Sequence, residues 1–191
     1  MHIKVNGKGY HIMRKIIEYT LVSVDGVFAG AATAGFAEYR DDAYMQDGLS
    51  QALACDILLM GRTTYEDFAK IWTRRTDPWA ERINAMPKYV FSSTLEQAAW
   101  NNTTIVRGDV VAEVTRLKQQ EGRDLLLYGH GLLAETLLKH HLVDVLDLSI
   151  YPFVAGQGRP FFREGENTAL RFVAAKSFSN GIVKITYEPR S

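Results

Sequence analysis

Two hydrophobic patterns alternate along this chain, and each predicts a different kind of secondary structure. Short apolar runs rich in β-branched and aromatic residues are typical of buried strands. They occupy residues 15–23, 56–60, 88–91, 103–106 and 124–128. Between them, apolar residues recur every three or four positions, as on one face of a helix. The predicted helices are 40–54, a segment opening at Thr63, 79–85, 110–120 and a segment following Gly131.

The last fifty residues have a different pattern, which predicts antiparallel strands. Residues 143–151 alternate apolar and polar side chains, as a half-buried strand does. Residues 172–178 and 182–187 flank an Asn180-Gly181 pair, which favours a tight hairpin. The sequence therefore predicts a three-layer α/β fold. Its central sheet is mixed and mostly parallel, with helices on both faces and a C-terminal antiparallel hairpin.

The composition bounds the class of protein and of partner. The 191 residues are 47% hydrophobic and 23% charged, which suits one globular domain. The 22 basic and 22 acidic side chains give no net charge, so we expect neither nucleic acid nor an anionic membrane as a partner. No apolar run has the length of a membrane span, and we expect a cytoplasmic protein.

Residues 1–12 lack the apolar stretch of a signal peptide, and we interpret them as a loose leader ahead of a single domain at 13–191. The single cysteine, Cys55, cannot form an intrachain disulfide, and we expect it to be a small buried filler. No cysteine cluster is spaced to bind a metal ion, so no metal site is predicted.

The segment around Gly129-His130-Gly131 is the first candidate for a ligand site. It reads as strand, tight turn and helix, and Gly129-x-Gly131-x-x-Ala134 fits a form of the dinucleotide fingerprint. Amides that open a helix have no intrahelical acceptor, so such a turn is a plausible seat for phosphate. A glycine turn that only connects two elements is the equal alternative.

Residues that can bind phosphate also follow the carboxyl ends of two further strands. Gly61-Arg62 precedes Thr63 and Thr64, where Thr63-x-x-Glu66 has the pattern of a capping box, and a guanidinium can grip phosphate in bidentate fashion. Ser92 and Ser93 follow the next strand, and Ser93-x-x-Glu96 again has the pattern of a cap. Three such ends in one chain favour a dinucleotide over a lone phosphate.

These segments occur in an order that resembles the dihydrofolate reductase-like superfamily. The segments in question are Ser23-Val-Asp-Gly-Val27, Leu59-Met-Gly-Arg-Thr-Thr-Tyr-Glu66, Lys88-Tyr-Val-Phe-Ser-Ser-Thr-Leu95 and the Gly129-His130-Gly131 turn. Leu142-Val143-Asp144 and a loop with Gly156, Gly158 and Phe162 are similar to one branch, the reductase domain of the riboflavin-pathway deaminase-reductase and its stand-alone bacterial relatives. The resemblance covers residues 13–187.

The resemblance implies an NADPH-binding site and gives roles to particular residues. Arg62 and Ser93, with Ser92 beside it, match positions that hold the adenosine 2′-phosphate. Gly61, Thr63 and Thr64 match the helix start that faces the pyrophosphate, and Gly129, His130, Gly131 and Leu132 match the turn under the cofactor. At His130 we expect the backbone to matter, with a catalytic imidazole as the alternative. Val24, Asp25, Gly26 and Phe28 resemble the loop that covers the nicotinamide.

The carboxylate of dihydrofolate reductases has no clear counterpart in this sequence. Asp41 and Asp42 lie where the first long helix starts, and acidic residues also favour a helix start by charge alone. We take Asp42 as the candidate substrate contact and Asp41 as a helix-start residue.

The resulting prediction is an NADPH-dependent reductase of a pyrimidine- or pteridine-like heterocycle. The expected type is 5-amino-6-(5-phosphoribosylamino)uracil reductase of riboflavin biosynthesis. The alternatives are a dihydrofolate reductase or broad-specificity small-molecule reductase, and a non-catalytic NADP-binding protein. The family also suggests a homodimer, for which Trp72, Trp79 and Phe161 are candidate interface residues.

Overall fold

The computed structural model describes residues 3–6, 9–29, 35–39, 41–162 and 167–190, with the backbone alone at 3–12 and 29. The strands are β1 Ile3–Asn6, β2 Gly9–Ile12, β3 Ile16–Ser23, β4 Val27–Ala29, β5 Cys55–Gly61, β6 Lys88–Phe91, β7 Thr103–Val106, β8 Asp124–Tyr128, β9 Val145–Tyr151, β10 Arg159–Pro160, β11 Leu170–Ser177 and β12 Val183–Pro189. The helices are α1 Asp42–Ala54, α2 Arg62–Trp72, α3 Pro78–Ala85, α4 Val110–Lys118 and α5 Leu132–Lys139.

Eight strands form the central sheet in the order β11-β12-β9-β3-β8-β5-β6-β7. The six strands from β9 to β7 are parallel, and β12 and β11 add an antiparallel hairpin. Gly181 takes a φ of +88° at the hairpin turn, a conformation that glycine adopts without a steric penalty. The predicted mixed, mostly parallel sheet with its C-terminal hairpin is confirmed.

Helices cover both faces of the sheet because successive side chains of each buried strand point to opposite sides. In β8, Leu126 and Tyr128 pack in the core under α1, α2 and α3, whereas Leu125 and Leu127 pack in the core under α4 and α5. Cys55 is fully buried in the first of these cores, as expected of a small filler. The three-layer prediction is confirmed.

Two small sheets lie apart from the central one. β1 and β2 pair antiparallel, so the expected loose leader contains two paired strands, at residues 3–6 and 9–12. β4 pairs antiparallel with β10, which ties the segment after β3 to a loop far along the chain, before β11. Among the described residues, no helix is long and apolar enough to cross a membrane.

Gly48 in α1 makes room for the indole of Trp79 in α3. A Cβ at this position would overlap the six-membered ring of Trp79. We therefore expect Gly48→Ala to destabilise the protein by about 1–3 kcal/mol through overpacking. The gain of about 0.5–1 kcal/mol from replacing a helical glycine would offset part of this. Urea unfolding measures the difference.

Ser50→Ala is the matched control, because Ser50 is exposed on the same helix and its loss should change stability by less than about 0.5 kcal/mol. A Gly48→Ala variant that is as stable as the wild type would contradict the packing of α1 on α3 described above.

A candidate nucleotide cleft

A cleft of about 980 Å³ opens at the edge where the parallel strands β5, β6 and β8 end. Its walls include all ten residues that the sequence assigns to cofactor binding: Gly61, Arg62, Thr63, Thr64, Ser92, Ser93, Gly129, His130, Gly131 and Leu132. Three segments far apart in the sequence thus meet in one cleft. Ligands of open α/β sheets bind at this position, outside the carboxyl ends of parallel strands.

Two helices present uncapped amino ends at this cleft. The N-cap residues of α2 and α5 are Gly61 and Gly131, and neither helix start has a side-chain cap. The other three α-helices of the described residues are each capped by an aspartate: Asp41, Asp77 and Asp109. The first-turn amides of α2 and α5 therefore remain available to an anion, which the helix dipoles also favour.

The capping box predicted at Thr63 is wrong, because β5 runs on to Gly61 and the helix already begins at Arg62. Arg62 lies in the first turn, and its side chain is held on both sides. Its Nε donates to Glu66 Oε1 at 2.7 Å, and its Nη1 donates to Thr94 Oγ1 at 2.6 Å. This arrangement orients the guanidinium at the rim of the cleft with its side chain 46% exposed.

The cap predicted at Ser93 is also wrong, because the described chain after β6 turns without forming a helix. Ser92 organises this turn: its Oγ accepts from the amides of Thr94 at 3.2 Å and Leu95 at 2.9 Å. Ser93 remains exposed and lines the cleft beside it.

The turn after β8 requires its first glycine. Gly129 has a φ of +77°, and a Cβ there would come within 2.9 Å of Thr64 Oγ1. At Gly131 a Cβ would meet nothing closer than Arg159 at 3.9 Å. Because neither glycine has a side chain, a ligand between α2 and α5 can approach the backbone of this turn.

His130 has a buried acidic partner that the sequence did not reveal. Its Nδ1 is hydrogen-bonded to Glu18 Oε1 at 2.6 Å, and both side chains are almost completely buried. The imidazole packs against Phe161, with ring centroids 4.0 Å apart, and edge-on against Phe28 at 5.5 Å. Within the part of the chain that the structure describes, His130 Nε2 and Glu18 Oε2 have no hydrogen-bond partner.

Burial raises the pKa of the Glu18 carboxyl, and the hydrogen bond from His130 opposes this effect. Because the folded protein holds this proton more tightly than the unfolded chain, Glu18 makes the protein less stable as the pH rises from the ordinary glutamate range through the folded-state pKa. A glutamine side chain cannot titrate. We therefore expect the stability of Glu18→Gln, relative to wild type, to increase between pH 4 and pH 8 in urea unfolding. A constant or decreasing difference would contradict the raised pKa.

Only one of the four residues expected in a nicotinamide-covering loop lines the cleft, and that residue is Phe28. Asp25 instead anchors the loop, and its carboxylate accepts from Ser23 Oγ at 2.5 Å and from the amides of Ala155 at 3.0 Å and Gly156 at 2.8 Å. These bonds lower the pKa of Asp25 to about 2. Val24 and Gly26 form the turn before β4.

Asp42 is exposed at the first residue of α1 and does not line the cleft. Its neighbour Asp41 caps the helix, since its Oδ1 accepts from the amide of Tyr44 at 2.8 Å. This bond is the main cause of the lowered pKa of Asp41. The predicted substrate contact of Asp42 stays a prediction, and its carboxylate would have to move to reach the cleft.

Aromatic side chains line the other end of the cleft, under β3, β8 and β9: Tyr19, Phe36, Tyr44, Phe68, Trp72, Trp79, Tyr128 and Tyr151. The suggested interface role of Trp72, Trp79 and Phe161 is wrong, because all three are at most 5% exposed within the single chain. The homodimer itself stays a prediction.

The model of the RibD C-terminal domain family matches residues 14–184. The chain belongs to this family. Two Bacillus subtilis (strain 168) relatives of this RibD C-terminal domain are the uncharacterized proteins YyaP and YwjB. YyaP is 31% identical over 181 residues, covering 91% of this chain and 94% of YyaP. YwjB is 28% identical over 173 residues, covering 88% and 95%.

Solved structures share the fold of this RibD C-terminal domain at low identity. A pyrimidine reductase-like protein from Corynebacterium diphtheriae has a TM-score of 0.66 at 12% identity, covering 93% of this chain and 92% of that one. A Thermotoga maritima deaminase/5-amino-6-(5-phosphoribosylamino)uracil reductase has a TM-score of 0.67 at 14% identity. The match covers 93% of this chain and 57% of that one. Enterococcus faecalis dihydrofolate reductase, complexed with NADP(H), has a TM-score of 0.60 at 15% identity, covering 93% and 97%.

Two residues that line the cleft of this RibD C-terminal domain, and the buried partner of a third, could not be found from the sequence. Glu18 sits in a strand whose pattern gave no sign that a carboxylate would be buried. Arg75 follows α2 in a polar stretch that carried no motif, yet it lines the aromatic end of the cleft. Arg159 also lines the cleft and is held by Glu135, whose Oε1 accepts from its Nη2 at 2.8 Å. For Arg75, the one available signal in the sequence was its position between two tryptophans, Trp72 and Trp79.

Proposed function

We propose that this protein is an NADPH-dependent reductase of a flat heterocyclic substrate. The observation that carries the proposal is the meeting of Arg62, Ser93 and the 129–131 turn in one cleft at the carboxyl ends of parallel strands. Membership of the RibD C-terminal domain family supports reductase chemistry.

The residues present fit a phosphorylated dinucleotide. Two uncapped helix starts, at Gly61 and Gly131, offer backbone amides to a pyrophosphate. A Cβ at Gly129 would crowd Thr64, so the close approach of α2 and the turn depends on glycine there. Arg62 supplies the cation that an additional 2′-phosphate requires, which favours NADPH over NADH.

The protein's own contribution is to bind and to orient. When bound, NADPH would supply a hydride to an electrophilic carbon of the substrate. The apolar side chains of Leu21 and Phe28 also line the cleft and would exclude water from the ring that carries this hydride. The aromatic end would hold the substrate ring parallel to its own side chains.

The finer proposal is a substrate of the 5-amino-6-(5-phosphoribosylamino)uracil type. Its support is the family, together with the name of the Thermotoga maritima protein that shares the fold. Dihydrofolate is the less favoured substrate for two reasons. Asp42 does not line the cleft, and the one carboxylate that does so among the described residues, Asp67, is exposed beside Lys70.

The test has two parts, cofactor binding and turnover. Calorimetric titration should show binding of NADPH by the full chain. NADPH oxidation would then be followed with the aminouracil ribotide, dihydrofolate and simple carbonyl compounds. Oxidation with the ribotide alone supports the finer proposal, and oxidation with another panel member supports only the reductase. Tight NADPH binding without turnover would favour a non-catalytic NADP-binding protein, and absence of binding would refute the proposal.

A further inference from the structure

The aromatic end of the cleft contains a preformed box of five rings, which we call the aromatic box: Tyr44, Phe68, Trp72, Trp79 and Tyr128. Trp72 and Tyr128 are stacked, with an interplanar angle of 7° and centroids 6.3 Å apart, and Trp79 stands edge-on to Trp72 at 5.2 Å. A flat ring is the ligand shape that such walls bind best.

One cation lies against this box and also lines the cleft. The guanidinium carbon of Arg75 is 4.5 Å from the ring centroid of Trp72 and 5.7 Å from that of Trp79. Its Nε donates to Asp77 Oδ2 at 2.7 Å, and Asp77 is itself fixed as the cap of α3. The guanidinium is therefore held in place before any ligand arrives.

The guanidinium nevertheless keeps a free donor. Arg75 Nη1 is buried and has no hydrogen-bond partner in the described ranges of the chain. A buried donor without an acceptor is costly, and a ligand that supplies the acceptor removes that cost. This donor thus favours a ligand oxygen at this point of the box.

The neighbouring acceptors among the described residues do not reach this donor. The Nε1 of Trp79 donates to the hydroxyl of Tyr128 at 3.2 Å, so that hydroxyl is already engaged. Asp67 is the only acidic side chain among the described residues that line the cleft, and it is 63% exposed beside Lys70 at 3.4 Å. A ligand with amidine-like donors would therefore meet a cation at this point, and the carboxylate beside it, Asp77, is already paired with Arg75.

We propose that the aromatic box and Arg75 form the subsite for the reducible substrate, and that they select a flat ring that directs an acceptor oxygen to Arg75 Nη1. The acceptor is a ring carbonyl or a carboxylate. As a substrate subsite, this inference rests on the proposed reductase function. As a binding site with this selectivity, it stands on the geometry alone.

Matched ring probes test the selectivity by calorimetric titration of the full chain, with and without NADP⁺. The probes are 2-naphthoate, which offers a carboxylate, 1,4-naphthoquinone, which offers ring carbonyls, and naphthalene-2-carboxamidine, which offers donors. At least one acceptor probe should bind about tenfold or more tightly than the amidine, and the tighter of the two identifies the type of acceptor.

Two variants then assign the selectivity to the guanidinium. Arg75→Met should weaken the preferred acceptor probe about tenfold to a hundredfold. It should not weaken the amidine, which loses a cationic neighbour. Arg75→Lys keeps a cationic donor beside Asp77 and should recover part of the affinity. Thermal unfolding shows whether each variant folds. If the Met variant does not fold, the Lys variant alone is compared with the wild type.

The outcomes separate this inference from the proposed function. Equal affinity for acceptor and donor probes, or an acceptor affinity that neither variant changes, overturns the inference. NADPH affinity is measured on the same samples and should not change in either variant. Absence of NADPH binding together with Arg75-dependent probe binding would refute the reductase and leave the subsite standing.

Discussion

Arg62→Ala should weaken NADPH binding by about one to two decades while weakening NADH binding far less. The guanidinium is oriented by Glu66 and Thr94 at the rim of the cleft, so it is preorganised for an anion. Loss of a charged hydrogen-bond partner is worth about 1.5–3 kcal/mol, and each 1.4 kcal/mol corresponds to a factor of ten in affinity. NADH lacks the 2′-phosphate, so its affinity should not depend on this hydrogen bond. Calorimetric titration with both nucleotides measures the two affinities.

Arg116→Ala is the matched control for this prediction. Arg116 also pairs with a glutamate on its own helix, and its side chain is 51% exposed, close to the value for Arg62, but it does not line the cleft. We expect this variant to bind both nucleotides as the wild type does. An Arg62→Ala variant that loses NADPH and NADH equally would show that Arg62 does not hold the 2′-phosphate.

We expect His130→Ala to be among the most destabilising single substitutions in this protein, although it leaves Gly129 and Gly131 in place. Removal of the imidazole leaves the carboxylate of Glu18 buried without its partner, and breaking a buried pair in this way costs about 3–5 kcal/mol. The loss should be greater at pH 8 than at pH 5, because the raised pKa of Glu18 gives the carboxyl a larger neutral fraction at the lower pH. Urea unfolding at both pH values measures it.

A double-mutant cycle with Glu18→Gln separates this effect from the loss of packing. In the Glu18→Gln background no charge is left behind, so His130→Ala should cost less, with a coupling energy of about 0.5–3 kcal/mol between the two positions. Packing of His130 on Phe28 and Phe161 is the same in both backgrounds. If His130→Ala lowers the free energy of unfolding equally in the two backgrounds, Glu18 and His130 are not energetically coupled.

The sequence was enough to predict the fold and the meeting of three distant segments, around Arg62, Ser93 and Gly131, in one cleft. There is a physical reason for both. Hydrophobic periodicity records which face of each strand and helix is buried, and that information is local. The carboxyl ends of parallel strands must lie along one edge of the sheet, so Arg62, Ser93 and Gly131 could be brought together without coordinates.

Residues with non-local partners could not be found in this way. Glu18 lies 112 residues from His130, and in the sequence it resembles any polar residue in a strand. Arg75 was hidden because its role depends on Trp72 and Trp79 folding around it. The capping box at Thr63 failed because the extended backbone of Gly61 starts the helix earlier, which a short motif does not reveal.

The central claim is that one cleft accepts a phosphorylated adenine dinucleotide, and a crystal structure of the full chain with NADP⁺ tests it most directly. We predict the 2′-phosphate beside Arg62 and Ser93, and the pyrophosphate between the helix starts at Gly61 and Gly131. A nucleotide bound on another face of the sheet, or seated with its phosphates away from these residues, would contradict the claim.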